Sequence, residues 1–200
     1  MKKLINIFII YLCFIGSSFS LANEKKTNIQ DIYKLLQEKK FEESINTLQI
    51  LSNQNDINAQ LLYSKILFSG DITPQDFENS YFWGLSALLG GLKNSSNILE
   101  KLNKYLTEEQ IEKITKNLKD FLEKRAYKND KRATIQIAKL YEKFTEPPDI
   151  INAYTWYNIA VAQGIKSAKS KRNEVLENLN EKDLLDAQTL SIKLFKKIND

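Results

Sequence analysis

The 200-residue sequence predicts an all-α protein assembled from repeated helical units, and three observations lead to that prediction. From Asn28 onward, apolar residues recur almost without interruption at the i, i+3, i+4, i+7 spacing of an amphipathic helix. No stretch shows the sustained period-two alternation that is typical of a half-buried strand. The chain also repeats itself internally, which is the sequence signature of repeat architectures.

Ten helices are predicted in order along the chain. The first runs from Ile29 to Leu36, and the second begins at Phe41 after a short break. The others are predicted from about Asn58 to Phe68, Asp76 to Leu89, Ser95 to Tyr105, Glu108 to Glu123, Lys131 to Phe144, Asp149 to Gln163, Lys166 to Leu179 and Glu181 to Ile198.

The breaks between these helices contain residues that start or end helices. Thr73-Pro74 places a hydroxyl before a proline at a first helical position. Gly90-Gly91 and Gly164 can adopt the positive φ of a helix C-terminus. Thr107 and Gln110 have the spacing of a capping box.

The internal repeat is clearest when the sequence is shifted against itself so that Tyr81 aligns with Tyr154 and Trp83 with Trp156, and we call this offset the repeat shift. Both tryptophans of the chain therefore occupy one repeat position. Upstream the offset is larger by one, so a single gap reconciles roughly 60 residues. Other aligned pairs are Ala87–Ala160, Gly91–Gly164, Lys93–Lys166, Leu106–Leu179, Glu108–Glu181, Ala59–Ala133, Lys65–Lys139 and Pro74–Pro148.

The second copy resembles a known family. Its segment from Ala153 to Gly164, with Trp156, Ala160 and the following Ala168, is similar to the second helix of a Sel1-like repeat, a relative of the tetratricopeptide repeat. The first copy is more degenerate. In it Ser80 replaces the first alanine of the pattern, Gly84 replaces the aromatic ring of Tyr157, and Ser95 replaces the alanine after the glycine.

This resemblance implies an α-solenoid of antiparallel helical pairs, in which each pair buries its apolar side by stacking on its neighbours. It assigns residues 58–124 to a first Sel1-like module and 125–200 to a second, after a tetratricopeptide-like helical pair over 23–57. It also implies a structural core at the repeat positions Ala59, Trp83, Ala87, Gly91, Ala133, Ala153, Trp156, Ala160, Gly164 and Ala168.

The N-terminal residues 1–22 have the pattern of a secretory signal peptide. Lys2 and Lys3 precede an apolar run from Leu4 to Ile15, and Ser20 with Ala22 supplies the small residues that signal peptidase accepts. We expect cleavage after Ala22 and export to the periplasm or outside the cell. An uncleaved membrane anchor is the alternative, but the apolar run is short for a membrane span.

Composition excludes several classes of chemistry. The chain has no His, so serine or cysteine nucleophiles paired with histidine and imidazole metal ligands are ruled out. Its one Cys lies in the signal region, so thiolate metal sites are not expected in the mature chain. Cleavage would remove two lysines and leave a net charge close to neutral, which argues against nucleic-acid binding.

Two groups of residues are candidates for partner contacts. Tyr81 and Tyr154 begin a second apolar stripe on the helices that carry the tryptophans, and this stripe is either covered by the next helical pair or forms the floor of a partner groove. Lys166, Lys169, Lys171 and Arg172 form a basic cluster, which is either a solvated face or a site for an acidic partner or an anionic envelope polymer.

These observations predict a non-catalytic scaffold or adaptor in the cell envelope that binds other proteins. No catalytic residue, cofactor or metal site is proposed, and no membrane span is expected after signal cleavage. Two alternatives remain open. One is an enzyme that acts on envelope polymers through carboxylates alone, since a glycosidase needs only two. The other is a purely structural accessory subunit.

Overall fold

The structure is a computed structural model that describes residues 28–200, so the predicted signal peptide lies outside the described residues. Over this range the protein has ten α-helices, one short 3-10 turn at Lys93–Ser95 and no strand. The all-α prediction is therefore confirmed. The helices are α1 (Ile29–Gln37), α2 (Phe41–Asn53), α3 (Ile57–Ser69), α4 (Phe77–Leu89), α5 (Ser96–Leu102), α6 (Glu108–Ala126), α7 (Lys131–Lys143), α8 (Ile150–Ala162), α9 (Ala168–Leu176) and α10 (Glu181–Asn199).

Helices α3 to α6, the first module, and helices α7 to α10, the second module, repeat the same plan. Helices α3 and α7 have 13 residues each, α4 and α8 have 13, and α6 and α10 have 19. The modules meet at the turn after α6, so α6 runs through the boundary expected between residues 124 and 125.

The N-caps repeat as well. Asp76 accepts a hydrogen bond from the backbone N–H of Asn79 at 3.0 Å, and at the aligned position Asp149 accepts the matching bond from Asn152 at 3.0 Å. Each cap satisfies a donor that the first turn leaves without a helical partner. The helix starts are therefore set by local side chains at the same repeat positions.

The helix C-termini explain the two aligned glycines. Gly91 and Gly164 have φ values of +110° and +84°, which residues other than glycine rarely adopt. The following N–H groups close the helix end in the same way, from Leu92 to the Ala87 carbonyl at 3.1 Å and from Ile165 to the Ala160 carbonyl at 3.0 Å. This six-to-one bond is the Schellman motif.

The helices stack as an α-solenoid. Short turns join helices that pack on each other as antiparallel pairs, such as α3 with α4 and α7 with α8. Helix α4 also packs on α5, α6 and α7, so the first module continues directly into the second. One buried cluster runs through both modules, and a second, which contains Ile32, Leu48 and Trp83, joins α1 and α2 to α3 and α4.

A buried polar network fixes α7 on the first module. The Asn55 amide Nδ2 donates to Gln136 Oε1 at 2.8 Å, and Gln60 Nε2 donates to Asn55 Oδ1 at 3.1 Å. Gln136 Nε2 then donates to the carbonyl oxygen of Ser86 at 2.9 Å. These buried hydrogen bonds connect α7 to the first module and favour one relative placement of the two.

Candidate partner-binding surface

Both tryptophans lie in the core. The Trp83 ring meets the Phe82 and Phe121 rings edge-on, with centroid distances of 4.8 and 5.8 Å. Trp156 is 1% exposed, and its ring lies 6.0 Å from the Tyr127 ring. These rings pack helices against one another, so neither presents a free face for a ligand.

The alanines of the repeat pattern are also buried, because they permit close approach between helices. Each of them has no exposed surface. They are Ala59, Ala87, Ala133, Ala153, Ala160 and Ala168.

Tyr81 and Tyr154 are not free for partner contact, which corrects the groove interpretation. Tyr81 is 6% exposed and Tyr154 is 3% exposed, and both belong to the cluster that runs through the two modules. Burial raises the pKa of the Tyr81 hydroxyl above its ordinary value. At these two tyrosines the second apolar stripe is therefore core, because neighbouring helices of the same chain cover it.

The basic cluster is on the surface. Lys166 and Lys169 are exposed, while Lys171 and Arg172 are half-buried. Helix α9 begins only at Ala168, so Lys166 lies in the turn before it and not in the helix. The cluster is thus split between the turn and the helix.

Two members of the cluster are engaged within the chain. Lys171 pairs with Glu174, and this hydrogen-bonded contact raises the pKa of the lysine and lowers that of the carboxyl. Arg172 donates to Asn173 Oδ1 at 2.9 Å and contacts Asn158 Oδ1 at 3.5 Å. Lys166 and Lys169 therefore carry the charge most accessible to an acidic partner, and such binding stays a prediction.

The structure also brings together polar residues that the sequence did not single out. Lys139 Nζ donates to the Leu89 carbonyl at 2.8 Å, and burial lowers the pKa of this lysine. The Tyr157 hydroxyl donates to Glu142. Burial is the main cause that raises the pKa of this tyrosine, and the hydrogen bond to Glu142 is the second. The burial of Lys139 was not predictable from its alignment with Lys65, because Lys65 is exposed.

An open groove lies between α8 and α10 at the end of the described array, and we call it the C-terminal groove. Its volume is about 520 Å³, and its walls are mainly apolar. Ile192 is 73% exposed there, although its side chain is aliphatic. The lining residues are Asn158, Ile159, Val161, Ala162, Ser191, Ile192, Phe195, Lys196, Asn199 and Asp200.

The corresponding groove of the first module, between α4 and α6, is filled by α7. Helix α7 packs on both walls and donates side-chain hydrogen bonds to both of them. These bonds run from Gln136 Nε2 to the Ser86 carbonyl at 2.9 Å, from Lys139 Nζ to the Leu89 carbonyl at 2.8 Å, and from the Tyr141 hydroxyl to Glu123 Oε1 at 3.1 Å.

All three acceptor positions recur in the C-terminal groove. The repeat shift takes Ser86 to Ile159, Leu89 to Ala162 and Glu123 to Lys196, and each of the latter residues lines the groove. Within residues 28–200 no helix follows α10 to cover them. The groove is thus the repeat equivalent of the space that α7 occupies in the first module.

Neither a metal site nor a membrane-spanning helix is found in the part of the chain that the structure describes. Within residues 28–200, no group of three or more His, Cys, Asp or Glu residues is placed to hold a metal ion. Over the same range, each helix is too short or too polar to cross a bilayer.

Comparison with curated proteins finds a viral relative. The chain is 34% identical over 127 residues to apoptosis regulator DPV022 of deerpox virus, an alignment that covers 61% of this chain and 69% of the viral protein. The chain belongs to the same protein family as this viral regulator. No family model matches the chain.

Comparison with solved structures finds a protective antigen present in uropathogenic Escherichia coli strains, described as displaying an SLR fold. The sequence identity is 16% and the TM-score is 0.38 over 78% of this chain. The chain spans 41% of the length of that antigen.

Proposed function

We propose that the protein is a non-catalytic scaffold that binds other proteins. The observation that supports this most directly is the pair of stacked modules, whose repeat residues pack helices while no helix within residues 28–200 covers the C-terminal groove. Stacked helical repeats form extended surfaces of the kind that bind protein partners.

We further propose that this scaffold is exported and acts in the cell envelope or outside the cell. The support is the signal-like pattern of residues 1–22. The secreted protein should begin at or near Asn23, and intact-mass measurement of the secreted material tests this. A mass that retains residues 1–22 would contradict cleavage.

Crosslinking followed by affinity purification tests the scaffold proposal. A scaffold should retain specific partners at substoichiometric or variable ratios, whereas a structural subunit should co-purify at one fixed ratio. The enzyme alternative makes a different prediction, namely turnover of an envelope polymer that is lost when one Asp or Glu is changed. Recovery of the chain alone after crosslinking would contradict the scaffold role.

The viral relative supports a second candidate function. Because DPV022 is named as an apoptosis regulator, regulation of apoptosis in animal cells is a candidate role for this chain also. Expression of residues 23–200 in cultured animal cells should then change the fraction of cells that die after an apoptotic stimulus. An unchanged fraction, at confirmed expression, would dismiss this candidate.

A further inference from the structure

We infer that the C-terminal groove binds an amphipathic α-helix of a protein partner, seated as α7 is seated on the first module, with an acidic residue facing Lys196. This inference rests on the proposed scaffold function and names its binding surface and the kind of partner. It is carried by the continuity between the C-terminal groove and the occupied groove between α4 and α6.

The first step concerns shape. The walls of the C-terminal groove are α8 and α10, and these helices have the same lengths as α4 and α6 and begin at the positions aligned with them by the repeat shift. A helix already occupies the space between α4 and α6. The space between α8 and α10 therefore has an occupied counterpart in the first module, and the occupant there is a helix.

The second step concerns the walls. In the first module, α7 packs against walls that contain two completely buried leucines, Leu85 and Leu118. The residues aligned with them in the second module are Asn158 and Ser191. Ser191 is 3% exposed and its hydroxyl donates to the Ala187 carbonyl at 2.7 Å, whereas Asn158 is half-buried. The groove wall is therefore less apolar at Asn158 than the first-module wall is at Leu85.

The third step concerns what remains apolar. Val161 and Phe195 are half-buried, and Ile192 is 73% exposed where the first module has Lys119. A solvent-facing isoleucine in place of a lysine adds apolar surface to one side of the groove. An apolar stripe between polar residues matches the apolar face of an amphipathic helix.

The last step concerns charge. The first-module residue that accepts a hydrogen bond from Tyr141 of α7 is Glu123, and the second module has Lys196 at that position. This substitution replaces an acceptor by a cation. An occupant should therefore carry a carboxylate where α7 carries Tyr141.

The probe is a synthetic peptide with the sequence of residues 130–144, which contains α7, and a second peptide with the change Tyr141→Glu. Fluorescence anisotropy of each labelled peptide is measured against the full mature chain. Both peptides should bind saturably, and a scrambled peptide of the same composition should not.

The protein variants separate groove binding from other contacts. Ile192→Ser should weaken both peptides at least tenfold, because the isoleucine side chain and its apolar contact are then lost. Leu185→Ser is the matched control, since Leu185 is 63% exposed on the same helix outside the groove, and it should leave binding unchanged. Lys196→Glu should weaken the Tyr141→Glu peptide about threefold more than the unmodified one.

The inference is overturned if the parent protein does not bind the unmodified peptide, if Ile192→Ser binds it as well as Leu185→Ser does, or if Lys196→Glu affects both peptides equally. All three replaced side chains are exposed, so the variants should melt as the parent does, and melting curves that agree exclude unfolding as the cause. If crosslinking recovers a partner equally from the parent and from Ile192→Ser, the scaffold function stands and the groove assignment fails.

Discussion

At the residue scale, the two modules use different small side chains at the same contact between their first two helices. Ser64 of α3 and Ser80 of α4 exchange hydrogen bonds with each other's backbone, at 2.7 Å from Ser64 Oγ and 2.8 Å from Ser80 Oγ. The repeat equivalents are Ala138 and Ala153, both completely buried. A small side chain is thus needed at both positions, and the hydroxyls are acceptable only because each finds a carbonyl.

This pairing predicts that Ser64→Ala or Ser80→Ala destabilises the protein by about 1 kcal/mol, because each change removes one buried hydrogen bond. The double change copies the alanine pair of the second module, and it loses only once the 3.3 Å contact between the two hydroxyls that each single change also removes. Its cost should therefore be less than the sum of the two single costs, a coupling that a double-mutant cycle of urea melts would measure. Strict additivity would mean that the two hydroxyls act independently.

Burial was predictable from the sequence for residues at repeat positions that need a large ring or a small side chain. It was not predictable where it depends on which neighbouring helix covers the residue. The tryptophans and the repeat alanines are core, as their repeat positions indicate. For Tyr81 and Tyr154 the sequence left core and groove open, because both need an apolar stripe. Only the placement of the neighbouring helices shows that the stripe is covered at both tyrosines.

At the element scale, all ten helices were predictable from apolar spacing, but Thr73-Pro74 does not start a helix, because α4 begins at Phe77 with Asp76 as its N-cap. The largest differences are at α5 and α9, which are shorter than expected. Helix α9 gives way to turn bonds from Asn178 to Val175 and from Leu179 to Leu176. Apolar spacing continues through such turns, so it overestimates helix length.

The helix ends allow a test at this scale. Gly164→Ala should destabilise the protein by roughly 1 kcal/mol, because its φ of +84° is unfavourable for a side chain with a Cβ. A Cβ at this position would meet no atom within 4 Å, so the cost is conformational and not steric. Gly164→Asn is the matched control and should cost less, since asparagine tolerates this conformation. Thermal melts of the two variants give the comparison, and equal melting temperatures would contradict it.

At the scale of the whole molecule, the internal repeat was readable from the sequence, while the open groove was not. Alignment shows that α8 and α10 match α4 and α6, but it does not show which helix covers them. The buried amide network around Gln136 was also not predictable, because the direct partners of Gln136 lie 50 and 81 residues away in the chain. Such contacts depend on the assembled array.

Alkaline pH should weaken the whole array. Burial raises the pKa of Tyr63, Tyr81, Tyr127, Tyr141 and Tyr157, and for Tyr157 the hydrogen bond to Glu142 adds to this effect. In the unfolded chain a tyrosine ionises near pH 10. Above that pH the folded protein holds more protons at these sites than the unfolded one, so stability falls as pH rises.

Lys139 acts in the opposite direction, because its lowered pKa makes the unfolded state bind more protons there as the pH approaches the ordinary value for lysine. One lysine against five tyrosines leaves a net loss of stability above about pH 10. Melting temperatures between pH 8 and 11 should therefore be level at first and then decline.

The variant Tyr157→Phe should make the decline of melting temperature with pH shallower, even though it also lowers the melting temperature at pH 8 by removing the bond to Glu142. Tyr105→Phe, at a tyrosine that is 59% exposed, is the matched control and should show the same decline as the parent. A Tyr157→Phe slope equal to that of the parent would show that this buried hydroxyl does not link folding to pH.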